Sequence, residues 1–237
     1  MKRLDKILSD AGIAGRRELK DMIRAGRVTV DGLPVTKADA KFDESVVEIA
    51  VDGEPVSLEK FVYYMLHKPE GVVTATEDGE HKTVLDLFPA ELRRRGLFPV
   101  GRLDKDTTGL LIITNDGDYA HRIISPKTHV SKRYYAETDG IPNAEDVCAF
   151  SEGMILRDGT QCLPAKLEVT GECSCYVTLL EGKYHQVKRM LAARGKPVVK
   201  LHRCSIGQLE LDSGLKPGEY RLMTHNEVEI SLVKLPL

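Results

Sequence analysis

"GRLDKDTTGLLIITNDG", residues 101–117, drives a cluster of charge and hydroxyl straight into an apolar run. Arg102, Asp104, Lys105, Asp106, Thr107 and Thr108 come first; Leu110, Leu111, Ile112 and Ile113 follow; Asn115-Asp116-Gly117 closes the segment. A short continuous apolar run bounded by turn signals reads as a buried strand. One acid, Asp104, therefore stands between two cations at the mouth of that strand. The arrangement is either an ordinary polar turn or a reactive carboxylate held in a pocket. A neighbouring cation favours the ionised carboxylate, and an ionised carboxylate is a competent nucleophile.

Outward from this segment, the chain beyond residue 61 alternates short β-like runs with turns. "FVYYMLHKPEGVVTAT" (61–76) reads as strand, Pro-Glu-Gly turn and second strand. "FPVGRLD" (98–104), "KRYYAETDG" (132–140), "CLPAKLEVT" (162–170) and "CSCYVTLLEG" (173–182) add further strands. Helical spacing fits 118–124, 144–151 and 186–194, with Val187, Met190 and Leu191 on one face of the last. Many strands with few helices predict an α+β domain with a mixed, mainly antiparallel sheet. No phosphate-binding loop, dinucleotide fingerprint, metalloprotease helix or serine elbow occurs, so no small-molecule cofactor is expected.

The first 60 residues differ. Leu4, Ile7, Leu8 and Ala11 recur at helical spacing, and Gly12 ends the helix. A second helix fits 16–25, with Leu19, Met22 and Ile23 inward. Arg16, Lys20, Arg24 and Arg27 follow at intervals that place them on one side, with Arg17 beside them. "RVTVDGLPV" then reads as a hairpin around Asp31-Gly32.

Charge supports an anionic partner. The whole chain of 237 residues has a formal net charge of −2. Residues 1–37 hold nine Lys/Arg against five Asp/Glu, and residues 181–203 hold seven against one. Residues 38–60 are acidic, two against seven. Basic regions on a neutral body suit phosphates, whose contacts release counterions and give sequence-independent affinity. With 42% hydrophobic and 30% charged residues, no long apolar run and no apolar leader at the start, a cytoplasmic protein without membrane contact is expected. The five cysteines are scattered. The Cys173-x-Cys175 pair has no second cluster to complete a metal site, so reduced thiols and no metal are expected.

Two resemblances follow from these motifs. "RLDKILSDAGIAGRRELKDMIRAGRVTVDGLPV" resembles an S4 RNA-binding domain, which implies a small αL-type module over 1–48 and a linker over 49–60. The segments "HKPEGVVTAT", "GRLDKDTTGLLIITNDG", "SKRYY", "EGKYHQVKRM" and "VVKLHRCSIGQLELDSGLKPGEYRLM" together resemble, in family order, the pseudouridine synthases of the bacterial small-subunit rRNA type. That implies a catalytic domain over 61–237. Within the signature GRLD-x-x-T-S/T-G-L, Asp104 matches the family's essential aspartate and Arg102 the arginine that helps hold a flipped nucleotide. Tyr134 matches the tyrosine of K-x-Y, and Lys188 the basic position of H-Q-I/V-R/K that pairs with the aspartate. Lysine at 188 is a point charge and lacks the planar fork of an arginine. Lys68, Leu201 and Arg203 are further candidates. Arg189 and Arg203, with Arg16, Arg17, Lys20, Arg24, Arg27 and Arg102, are the expected RNA-contacting cations.

The resemblance implies isomerisation of one uridine of 16S rRNA, in free RNA or a 30S assembly intermediate, by a monomer that needs no cofactor. The aspartate acts either as a nucleophile or as a base that forms a glycal; the sequence does not choose. Siblings act on 23S rRNA or tRNA. Two other classes fit parts of the pattern. A non-catalytic S4-type ribosome-assembly factor would keep the basic ridge and lose the acid at 104. A glycoside hydrolase would pair Asp104 with a second carboxylate, such as Asp106, and release free uracil.

Overall fold

The computed structural model describes residues 1–234, which divide into two compact units. The first holds Met1–Val62 with Phe88–Leu97; the second holds Tyr63–Leu87 and the chain from Phe98 onward.

In the first unit, helix α1 (Leu4–Asp10) and helix α2 (Arg16–Arg24) pack their apolar faces together. Leu4, Ile7, Leu8, Leu19, Met22 and Ile23 share one core with Val28, Val30 and Ile49. Strands β1 (Val28–Val30), β2 (Leu33–Pro34), β3 (Ile49–Val51) and β4 (Glu54–Pro55) form a sheet of order β2-β1-β3-β4. The turns are Asp31-Gly32 and Asp52-Gly53, all four residues at positive φ, the geometry that lets a two-residue hairpin follow strand twist. The segment 49–60 is therefore not a plain linker. Its first half is a hairpin seated on β1, and its Asp52-Gly53 signal was masked by the surrounding acidic composition.

The second unit is built on a sheet whose main path runs β8-β9-β7-β10-β6-β5-β11. In chain order these are β5 (Tyr63–Lys68), β6 (Thr107–Thr114), β7 (Lys132–Thr138), β8 (Lys166–Gly171), β9 (Ser174–Leu179), β10 (Val198–Ile206) and β11 (Tyr220–Leu222). Only β6 and β10 pair in parallel along this path, so the sheet is mixed and mainly antiparallel. Helices α3 (Gly117–Ile124), α4 (Ala144–Glu152) and α5 (Gln186–Ala193) complete the unit's frame. One core gathers Leu110 and Ile112 with Tyr119 and Ile123 of α3. A second gathers Ala136, Cys175 and Val177 with Phe150 of α4 and Val187, Met190 and Leu191 of α5.

Leu110, Leu111, Ile112 and Ile113 are all fully buried. At about 1.5–3 kcal/mol of gross burial for each such side chain, β6 is a rigid base for the loop that precedes it. The Asn-Asp-Gly signal at its end does more than close a strand. Asp116 accepts hydrogen bonds from the backbone N–H groups of Asp118 and Tyr119, both at 3.1 Å, and so caps α3.

Two strand expectations fail. Residues 71–76 form no strand and make only an isolated bridge between Val73 and Thr83. Of 98–104, only Phe98–Pro99 pairs. In both places irregular contacts replace a ladder: the Gly71 N–H bonds to the Lys105 carbonyl and the Thr74 hydroxyl to the Leu103 backbone, and those contacts build the site.

Candidate active site

The loop ahead of β6 is pinned on both sides of Asp104. Leu103 is buried; its carbonyl accepts from the Thr74 hydroxyl at 2.7 Å, and its N–H donates to the same oxygen at 3.2 Å. The Lys105 carbonyl accepts from the Gly71 N–H at 2.8 Å. Beneath it Lys68, fully buried, donates to the carbonyls of Pro69 (3.0 Å), Lys105 (3.3 Å) and Thr107 (2.8 Å). Thr74 and Gly71 come from the segment expected as a strand; their polar groups are spent on this loop rather than on a ladder. Gly109 sits at φ +107, where a Cβ would lie 2.3 Å from the Arg203 carbonyl oxygen. Glycine is required there so that β6 can approach β10 closely.

Burial pushes the Lys68 ammonium down to about 8, against the opposing pull of Asp106 and Asp104. Lys68→Met removes three hydrogen bonds from a buried ammonium to backbone carbonyls and is expected to cost about 1–3 kcal/mol. The sign of the pH effect follows from linkage. Between pH 8 and 10.5 the unfolded chain keeps a proton on this lysine that the folded chain has released. Wild-type stability therefore gains from this group as pH rises through that window, and Lys68→Met lacks the gain. Urea melts of both proteins at pH 7.5 and pH 9.5 check it: the gap should widen at the higher pH.

Asp104 is held from the other side by the turn that opens α5. Lys188 Nζ lies 3.2 Å from Asp104 Oδ2, and His185 Nε2 lies 3.2 Å from Oδ1, so each carboxylate oxygen faces a donor. Lys188 also pairs with Asp106 at 2.5 Å. The Asp104 side chain is 26% exposed, neither sealed nor facing bulk solvent. Burial pulls the Lys188 ammonium down, but the hydrogen bonds to Asp106 and Asp104 outweigh it and leave the group above its ordinary value. The bond from Lys188, opposed by partial burial, holds Asp106 below the usual carboxylate range.

The turn itself is locked by Gln186. Its amide nitrogen donates to Glu181 at 2.7 Å, and its oxygen accepts from the Lys183 N–H at 2.9 Å. His185 is left-handed, φ 47°, and its ring stacks on Tyr184 at 3.9 Å. The motif marks Lys188, whereas the parts of His185 and Gln186, which stand in the same "KYHQVKRM", emerge only from the folded turn. Their trace in the sequence is a polar pair immediately ahead of an apolar helical face.

Tyr134, on β7, lies opposite Val177 and Arg203 and packs against the core beneath α4 and α5. It lines a recess of about 80 Å³ with Arg102, Asp104, Thr107, His185 and Leu201. The recess opens on a cleft of about 1060 Å³, whose walls include Glu70, Thr74, Arg102, Lys105, Tyr184 and Lys188. Arg102 and Lys105 are exposed there. Thus Lys188 and Tyr134, distant in sequence from Arg102 and Asp104, meet them at one place.

One expected RNA contact needs correction, and a second lies away from the Asp104 recess. Arg203 is only 3% exposed and donates through Nε to the Leu110 carbonyl at 2.7 Å, so it bonds to β6 and is not presented to a ligand. Arg189 pairs with Asp158 at 2.6 Å and lines a separate hollow with Leu156 and Ala192, not the Asp104 recess. In the first unit, Arg16, Arg17 and Lys20 are exposed. Arg24 pairs with Asp21 at 3.3 Å, and Arg27 makes a bidentate pair with Asp52. Among the described residues, no group of three or more His, Cys, Asp or Glu side chains could hold a metal ion, and no helix is long and apolar enough to cross a membrane.

Comparison with known proteins adds the following. The family model described as RNA pseudouridylate synthase matches residues 62–193, and that of the S4 domain matches residues 2–47. An uncharacterized RNA pseudouridine synthase of Bacillus subtilis is 44% identical over 232 residues, 96% of this chain and 97% of that one. Ribosomal small subunit pseudouridine synthase A of Vibrio cholerae is 44% identical over 227 residues, 95% of this chain and 97% of its own. A crystal structure of a pseudouridylate synthase superposes with a TM-score of 0.70 at 38% identity, covering 98% of this chain and all of the other.

Proposed function

The chain belongs to the RNA pseudouridylate synthase family, and on that premise we propose that it isomerises one specific uridine of 16S rRNA, with Asp104 as the group that starts the reaction. The observation that carries this reading is the carboxylate held between Lys188 and His185 on a pinned loop, in a recess it shares with Tyr134 and Arg102.

A uridine in folded RNA buries the atoms that must react, so it has to be extruded, at a cost of a few kcal/mol. Phosphate contacts offset that cost; Arg16, Arg17 and Lys20 of the S4 unit, and Arg102 and Lys105 at the cleft, are exposed cations suited to them. Arg102, at the mouth of the recess, braces the displaced nucleotide. Asp104 then acts at the sugar or the base while Lys188 stabilises its negative charge. The N1–C1′ bond breaks, the uracil turns, and C5 joins C1′. The proton on C5 leaves and N1 gains one, so the product is an isomer and no redox partner is required. Tyr134 packs on the base and assists removal of the C5 proton.

The RNA target is assigned by likeness to the small-subunit enzymes, and the substrate form is free 16S rRNA or a 30S assembly intermediate, acted on by a monomer. Mapping pseudouridine by position in rRNA and tRNA from a strain lacking this protein tests the target. Loss of one 16S position, restored by the purified protein on 16S transcript or partly assembled particles, is the expected result. Loss confined to 23S rRNA or tRNA would contradict the assignment.

A further inference from the structure

Tyr184 is the large aromatic side chain of the cleft that nothing in the proposed reaction uses. It is 76% exposed, an unusual cost for a tyrosine ring that could have packed inward. Its place is imposed by the locked turn. Gln186 fixes the backbone on one side, and the left-handed His185 turns the chain so that the Tyr184 and His185 rings lie almost parallel, 18° apart at 3.9 Å. One face of Tyr184 is thus covered by the imidazole and the other is open. The same imidazole reaches Asp104 with its Nε2 at 3.2 Å. The order of groups is carboxylate, imidazole, phenol ring, open face.

We propose that the open face of Tyr184 is a stacking platform for an unpaired nucleobase adjacent to the extruded uridine. This rests on the reading of the site as an RNA-modifying centre. Several features favour a neighbouring base over the reacting one. The reacting base belongs in the recess beside Asp104 and Tyr134, and Tyr184 does not line that recess; it lines the outer cleft. A base on the open face is two ring thicknesses from the imidazole, the next layer out. At about 1060 Å³ the cleft is at the upper end of the range that holds one drug-sized ligand, so it has room for more than one nucleotide. Arg102 and Lys105 are exposed in the same cleft, where the intervening phosphate must pass. Single-stranded RNA is commonly gripped by this combination of aromatic face and cations. The backing imidazole already stacks on the phenol ring at 3.9 Å, which lowers the side-chain entropy to be lost on binding.

The test compares Tyr184→Ala and Tyr184→Phe in the full chain. Affinity is measured by titration of a labelled 16S transcript, and turnover by single-turnover rate at saturating RNA. Tyr184→Ala should weaken binding about tenfold while the saturated rate stays within about twofold; Tyr184→Phe should match wild type on both. An abasic nucleotide beside the modified uridine should weaken wild type by a similar factor and leave Tyr184→Ala almost unaffected. The proposal is overturned if Tyr184→Ala binds like wild type, if Tyr184→Phe is equally impaired, or if the abasic substitution weakens both proteins alike. A fall in the saturated rate with unchanged affinity would overturn it too, because Tyr184 would then act only by supporting His185. Failure of the functional reading is a separate outcome: wild type would bind the transcript and make no pseudouridine, while the binding comparison would still stand.

Discussion

Lys188→Met should lower the rate of pseudouridine formation by about 10²–10³-fold, the scale of losing one preorganised charge partner in a partly closed site. The methionine keeps much of the stem's packing on α5 and removes only the ammonium. Lys188 is shared: it lies 3.2 Å from Asp104 and 2.5 Å from Asp106. Asp106 is mostly exposed, so its pair with Lys188 is screened and worth little in itself. Asp106→Asn frees the ammonium for Asp104 and should change the rate by no more than about threefold. Lys188→Arg should recover most of the lost activity, since a guanidinium can engage both oxygens of one carboxylate. If Asp106→Asn proved as damaging as Lys188→Met, the ion pair that matters would be the outer one, and Asp104 would lose its assigned partner. Single-turnover rates for the three variants decide the point.

Asp104→Asn carries the larger expected effect, about 10⁴-fold or more, because it removes the group that begins the bond exchange and leaves everything else in place. The substitution is nearly isosteric. It keeps an oxygen for one donor, and the loop is held by backbone contacts through Leu103 and Lys105 rather than by the Asp104 side chain. Thermal stability and RNA affinity should therefore stay close to wild type. A variant that lost turnover through unfolding would instead melt early and bind RNA poorly.

Much of this arrangement was legible in the chain, and the exceptions share a cause. The helices α1 and α2 and the hairpin at Asp31-Gly32 follow from spacing alone, because each buries a regular apolar face. Strand β6 announces itself by four consecutive apolar residues, all of which are buried. By contrast β10, which pairs in parallel with β6, shows no strand pattern in the sequence. Its inward positions include Arg203 and Ser205, which are buried and polar, so hydrophobic alternation is broken where the sheet is most central. The same blind spot made Arg203 look like a surface cation. The fold supplies it with the Leu110 carbonyl, a partner that no local pattern reveals. Residues 71–76 failed in the opposite sense: Val72 and Val73 suggest a strand, but Thr74 and Gly71 bond to the 103–105 loop instead. At the site, Asp104, Arg102, Tyr134 and Lys188 were legible through the resemblance of their motifs to a family. The His185 contact and the sharing of Lys188 with Asp106 are properties of the folded turn alone.

The account is tested most directly by release of the C5 hydrogen. Joining C5 to C1′ expels that hydrogen, so 16S rRNA carrying tritium at C5 of its uridines reports each turnover as tritium in water. Wild type should release one equivalent per RNA and no free uracil, and Asp104→Asn should release none over the same time while binding the RNA with wild-type affinity. Tritium release by Asp104→Asn at a rate near that of wild type would contradict the central claim.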